Sequence, residues 1–226
     1  MINENTARRE IKFVSNEHHM PSILSWLHGS KLFLKKCFED RIVNNIYYDT
    51  FNYEAYSDNL SGISNRTKLR YRWYGNTLEP TDGFLELKIR KNSFGFKKRL
   101  KINLSNIDNK HKKLSEFFRK SAYNLWTPFI NYYSNPVLLN RYRRSYYLSK
   151  CKKIRLTLDR NHSLFDQRFS NKINTKKKLN IIEYIVIEIK CDPKLYNYVS
   201  NLIEDIPMKA SRNSKYVNSV NALNSI

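Results

Sequence analysis

Three consecutive stretches, "KLRYRWYG" (68–75), "FLELKIRK" (84–91) and "KKRLKINL" (97–104), alternate residue by residue between two kinds of side chain. A strand turns successive side chains to opposite faces. Lys68, Arg70 and Arg72 therefore share one face, and Leu69, Tyr71 and Trp73 the other. Glu86, Lys88 and Arg90 oppose Leu85, Leu87 and Ile89, while Lys97, Arg99 and Lys101 oppose Lys98, Leu100, Ile102 and Leu104. The pattern recurs far away in the chain. "RREIKF" puts Arg8, Glu10 and Lys12 together, and "YRRSYYL" groups Tyr142, Arg144 and Tyr146. "IRLTLD" sets Arg155, Thr157 and Asp159 against Ile154, Leu156 and Leu158. "IVIEIK" sets Val186, Glu188 and Lys190 against Ile185, Ile187 and Ile189.

Any half-exposed sheet alternates apolar and polar residues. Here the polar set is mostly Arg and Lys, strand after strand, with a single carboxylate among them on four strands. Like charges on neighbouring strands repel. A sheet does not gather them without a reason, and an anionic ligand is such a reason. The whole chain is biased the same way: 41 Lys and Arg stand against 20 Asp and Glu, a net charge of +21. Yet 16 Tyr and 12 Phe provide for a packed core, so this is no disordered basic tail.

Eight strands are expected, near 8–14, 42–49, 66–74, 83–91, 96–104, 138–149, 153–160 and 180–190. Helical spacing marks 20–36, 114–120 and 193–203, and 214–224 closes the chain as a further helix. The Lys- and Asn-rich patches at 106–113 and 171–178 read as solvated loops. Five Gly and six Pro leave no linker, so 1–226 reads as one domain. Eight antiparallel strands can close into a barrel wide enough for side chains or one modest ligand. The fold class expected is thus mainly β (α+β): a closed eight-stranded antiparallel tunnel, basic inside and covered outside by helices. Cys37, Cys151 and Cys191 form no paired spacing, which fits a reducing compartment. "MINENTARRE" is too polar for a signal peptide, and no apolar run reaches the length of a membrane span. A cytoplasmic protein is expected.

"RREIKF", "IYYDT", "RTKLRYRWYG", "FLELKIRK", "IRLTLD", "VIEIK" and "SKY" (214–216) occur in the order found in the VTC domain. The chain resembles that family, the catalytic domain of vacuolar transporter chaperone polyphosphate polymerases. It is a branch of the triphosphate tunnel metalloenzyme, or CYTH-like, superfamily. The resemblance spans roughly residues 8 to 220. It implies that Lys12, Arg70, Arg72, Lys88, Arg99, Arg144 and Lys215 contact substrate phosphates, with Lys98 as the alternative to Arg99. It implies that Glu188 binds a divalent metal, Mn²⁺ or Mg²⁺. Arg70, Arg72, Lys88 and Glu188 would carry the catalysis. Arg8, Glu10, Glu86, Arg90, Lys101, Arg155 and Lys190 would complete the lumen. The wider superfamily opens with Glu-x-Glu-x-Lys, but this chain has Arg8 in the first position, which removes one potential metal ligand.

The activity implied is transfer of the terminal phosphate of ATP onto a polyphosphate or pyrophosphate acceptor. Hydrolysis of a triphosphate in the same tunnel is the alternative. A non-catalytic module binding polyphosphate or nucleic acid is a third reading, although Tyr71 and Trp73 lie opposite the arginines rather than among them. Nucleic acid is not an obligatory partner. No covalent nucleophile stands out. His18 and His19 fall at a helix start, His28 on a helix, and His111 and His162 in loops. Asp49 and Asp159 read as structural, ordering loops or pairing with cations.

Overall fold

The computed structural model describes residues 8–92, 94–104, 118, 125–169, 172–211 and 214–224. Among the described residues nine strands are present: β1 (Arg9–Asn16), β2 (Leu34–Asp49), β3 (Asn65–Tyr74), β4 (Gly83–Lys91), β5 (Phe94–Ile102), β6 (Asn135–Ser149), β7 (Arg155–Asp166), β8 (Tyr184–Cys191) and β9 (Lys209–Ala210). The helices are α1 (Met20–Gly29), α2 (Glu54–Leu60), α3 (Thr127–Tyr132), α4 (Tyr196–Leu202) and α5 (Lys215–Asn224). The strands hydrogen-bond in the order β5-β4-β3-β2-β6-β7-β8-β1-β9. Every one of the eight expected strands has a counterpart, and β9 is added. The fold is mainly antiparallel β with few helices. The described order ends at β5 and β9, so closure is not among its pairings.

Three expectations change. The helix expected over 20–36 stops at Gly29, and Leu34 already begins β2. Helices α2 and α3 were not expected. His162 is no loop residue but a buried member of β7. Its neighbour Asn161 has φ +54°, the left-handed conformation that Asn tolerates, so the strand passes through a local kink rather than ending. The expected helix at 114–120 (Phe118 apart), the loop at 106–113 and His111 lie outside the described residues.

The chain divides into two compact units, and the longest strands contribute to both. One unit comprises 1–42, 142–162 and 182–213. In it β1 pairs antiparallel with β8, Lys12 opposite Glu188 and Phe13 opposite Ile187. β7 lies on the other side of β8, with Thr157 opposite Glu188 and Leu158 opposite Ile187. This register sorts the side chains by parity. Phe13, Leu156, Leu158, Ile185, Ile187 and Ile189 form a buried cluster with Ile23, Trp26 and Leu27 of α1 and Val199 of α4. The isoleucine face of "IVIEIK" thus lies under helices, as expected. Trp26 completes the seam by donating its indole N–H to Asp205 at 3.0 Å.

The second unit comprises 43–141, 163–181 and 214–226. β2, β3, β4 and β5 pair in sequence order. Leu69, Tyr71, Trp73, Leu85, Leu87 and Ile102 supply the buried face. Gly83 pairs with Trp73. A Cβ there would come within 2.2 Å of the Arg72 carbonyl oxygen, so only glycine fits. Asp49, at the end of β2, accepts the backbone N–H groups of Thr50, Ala55 and Tyr56 and the Tyr216 hydroxyl. It ties α2 and α5 to the sheet, the structural role expected of it.

Candidate functional site

The register of β3, β4 and β5 stacks the cations in rows across one face. Lys68, Lys88 and Lys97 lie opposite one another, then Arg70, Glu86 and Arg99, then Arg72, Phe84 and Lys101. Arg66 and Arg90 form the row beyond the lysines. The second row is the centre. Glu86 is completely buried, a rare situation for a carboxylate. Its Oε2 accepts from Nε and Nη2 of Arg70 at 2.8 and 2.6 Å. Its Oε1 accepts from Arg99 Nε at 2.9 Å and from Lys97 Nζ at 3.3 Å. Arg72 Nε stands 3.8 Å from Oε2 and donates to Asn45 Oδ1 at 2.7 Å.

Burial alone would raise the Glu86 pKa. The positive fields of Arg70, Arg72 and Lys97 outweigh it and hold the carboxyl well below the usual range. Lys97 moves the other way. Desolvation, only partly offset by Glu86 and reinforced by Arg99 and Arg70, pushes its pKa down to about 8.

Helix α5 reaches the same face. Tyr216 stacks on Tyr47, with ring centroids 5.2 Å apart, and Tyr47 shares the face of Arg70 and accepts from Arg70 Nη1 at 3.3 Å. Lys68 Nζ donates to Ser214 Oγ at 2.9 Å. Lys215 is buried between these two anchors.

The other unit holds a second polar set. Arg144 on β6 grips Asp159 of β7 in a two-pronged pair, Nε to Oδ1 at 2.5 Å and Nη2 to Oδ2 at 2.6 Å. Burial opposes the charge on Arg144, but Asp159 and Tyr142 raise its pKa well above the ordinary value. Glu188 Oε2 is 3.8 Å from Arg144 Nη2 and 3.7 Å from Lys190 Nζ. Lys190 also lies 3.9 Å from Glu10, which sits 3.4 Å from Lys12. Thr157, directly opposite Glu188, has a buried hydroxyl with no hydrogen-bond partner among the described residues.

The profile of the VTC domain family matches residues 7–224. The chain belongs to the VTC domain family. No curated protein matches the sequence. Solved structures share the fold at low identity, among them the following three. A Hippeastrum protein, described as a candidate adenylyl cyclase with a dominant triphosphatase activity, is 13% identical with a TM-score of 0.56, covering 95% of both chains. A candidate adenylate cyclase of Vibrio parahaemolyticus is 11% identical with a TM-score of 0.52, covering 96% of this chain and 98% of its own. A Pyrococcus horikoshii protein is 13% identical with a TM-score of 0.51, covering 95% and 98%.

Within this VTC domain, Arg70, Arg72, Lys88 and Arg99 lie on one sheet face. Lys98 pairs with Leu87 on the opposite face, so Arg99 is the cation beside Glu86. Lys101 shares the face one row further along. Arg90 also shares it, but its Nε donates to the Asn92 carbonyl at 2.8 Å. In the other unit Glu10, Lys12, Arg155, Glu188 and Lys190 fall on one parity of β1, β7 and β8. Arg8 is exposed and precedes β1.

Lys97, Tyr47, Asn45 and Thr157 were not singled out from the sequence. Lys97 carried a signal, since it shares parity with Arg99. The same parity placed Glu86 on the face but not at its centre. Among the described residues no group of three His, Cys, Asp or Glu is arranged for a metal. Glu188, Glu10 and the Thr157 hydroxyl, which has no partner among the described residues, nonetheless fit Mg²⁺ or Mn²⁺, which commonly take one or two carboxylates and complete their shell with phosphate and water.

Proposed function

We propose that this VTC domain is a metal-dependent phosphotransferase that moves the terminal phosphate of ATP onto a polyphosphate chain. The observation that carries the proposal is the cationic face of β3–β5, where Arg70, Arg72, Lys97 and Arg99 surround one buried carboxylate. Arginines grip phosphate oxygens in a two-pronged fashion and lysines add point charge. Preorganised cations stabilise the charge that spreads over a phosphoryl group during in-line transfer. An oxygen of the acceptor chain forms the new bond to the γ-phosphorus, the bond to ADP breaks, and ADP leaves. No protein nucleophile is required. Lys12, Lys88, Arg144 and Lys215 add phosphate contacts in this proposal. Glu188, with Glu10 and Thr157, would hold the divalent ion, which would supply positive charge to offset the phosphate oxygens. Closure of the antiparallel sheet into a barrel belongs to the same proposal, as does a cytoplasmic setting.

Hydrolysis with water as acceptor is the second reading. The structural relative described by its triphosphatase activity favours it. Incubation with ATP and Mn²⁺ separates the two. Long phosphate chains on a gel are expected, and release of orthophosphate alone refutes the polymerase. Glu188→Gln is expected to lower turnover by at least a hundred-fold, with nucleotide binding retained. Unchanged turnover would remove Glu188 from the metal site and leave a binding module as the better description.

A further inference from the structure

A cavity of about 280 Å³ opens in the unit that contains β1 and β8, and its lining includes none of the residues of that unit's polar set. Its floor is Leu32, Ile154 and Leu202, of which Leu32 and Ile154 are almost wholly buried. Two aromatic rings stand at its rim in water, Phe33 at 69% exposure and Tyr198 at 60%. Lys31 and Lys150 join them, and no carboxylate among the described residues lines the cavity.

Two features separate this place from an ordinary exposed apolar spot. Phe33 has φ +49°, a left-handed conformation that is strained for a bulky residue. The turn that holds it, with Phe33 N–H donating to the Ser30 carbonyl at 2.9 Å, aims an aromatic ring at solvent instead of the core. The cavity is also concave and small, below the roughly 300–1,000 Å³ that encloses a drug-sized ligand. It accommodates one bulky apolar side chain. A flat bilayer surface has nothing to fill it.

We propose that this groove docks an acidic peptide segment of a partner protein. One bulky apolar side chain of the segment enters between Phe33 and Tyr198, and flanking carboxylates meet Lys31 and Lys150. Lys152 and Lys153, exposed on the adjoining turn, extend the positive rim. Aromatic anchors in a small pocket with a charged rim match the usual division between binding energy and orientation at interfaces.

The cationic face of the other unit will attract any acidic peptide, so the test must report position. Cys151 supplies the reporter. It is exposed and lines the groove. The probe is a fluorescein-labelled acidic twelve-residue peptide with a central Phe-Leu pair, beside a control with Ser-Ser in its place. Iodoacetamide labelling, read by mass spectrometry of the digested protein, measures protection of each cysteine.

The Phe-Leu peptide is expected to slow alkylation of Cys151 several-fold and to leave Cys37 unaffected, whereas the control does not protect. The paired variant Phe33→Ala/Tyr198→Ala should weaken binding about ten-fold or more. Lys31→Glu/Lys150→Glu, confined to the surface, should do so without altering ATP turnover. Equal binding of both peptides without protection of Cys151 overturns the proposal as general charge attraction. Protection by phosphatidylserine vesicles but not by peptide overturns it in favour of a membrane surface.

Discussion

Replacing Glu86 with Gln tests the centre of the cationic face. The shape is kept and the charge removed. The carboxylate is fully buried, and Arg70 and Arg72 beside it expose only 6% and 7% of their side chains. Two buried guanidiniums then lose their counter-charge. Breaking a buried ion pair costs about 3–5 kcal/mol. Arg70 keeps its bond to Tyr47 and Arg72 its bond to Asn45, so the lower end applies, about 3 kcal/mol. Lys97 and Arg99 are too exposed to add to this figure.

Urea unfolding measures the loss. The pH dependence offers a second handle. The Glu86 carboxyl titrates lower in the folded than in the unfolded protein. Its stabilisation is therefore complete above about pH 4.3 and is lost as pH falls through the folded value. Glu86→Gln should flatten that acid limb. Tripolyphosphate should stabilise the variant more than the parent, because it restores the missing negative charge. A loss below about 1 kcal/mol, the size of an exposed pair, with equal stabilisation by tripolyphosphate, would refute the reasoning.

Two further predictions follow from single contacts. Gly83→Ala forces a Cβ against the Arg72 carbonyl and should destabilise by about 1–3 kcal/mol, read as a lower thermal midpoint. Lys97 should lose its charge as pH rises through about 8. Binding an anion favours the protonated amine, so triphosphate affinity measured by calorimetry should fall above that pH, and Lys97→Arg should abolish the fall.

The faces of β3, β4 and β5 were legible because parity is a property of the backbone and needs no tertiary information. Which acidic residue would be surrounded was not. Glu86 and Glu188 look alike in sequence, each one carboxylate among cations. Only the cross-strand register, with Arg70 on one side of Glu86 and Arg99 on the other, sets them apart. The same register puts Arg99 beside Glu86, where parity already favoured it and only the motif spacing left Lys98 open. The early start of β2 was hidden because "LKKCFEDRI" mixes charges without a clear period of two. His162 read as loop because Asn161 does break the strand geometry locally, but pairing carries β7 onward.

Asp49 and Tyr216 are 167 positions apart, joined by one hydrogen bond. During synthesis at roughly 5–20 residues per second, the hydroxyl emerges on the order of ten to thirty seconds after the carboxylate it must meet. Tyr47 waits as long for the ring that stacks on it. For that interval the nascent chain displays a strand end rich in aromatic residues whose final partner does not yet exist. The β3–β5 sheet can pair long before, but the packing of α5 against the end of β2 is among the last contacts of this molecule to form.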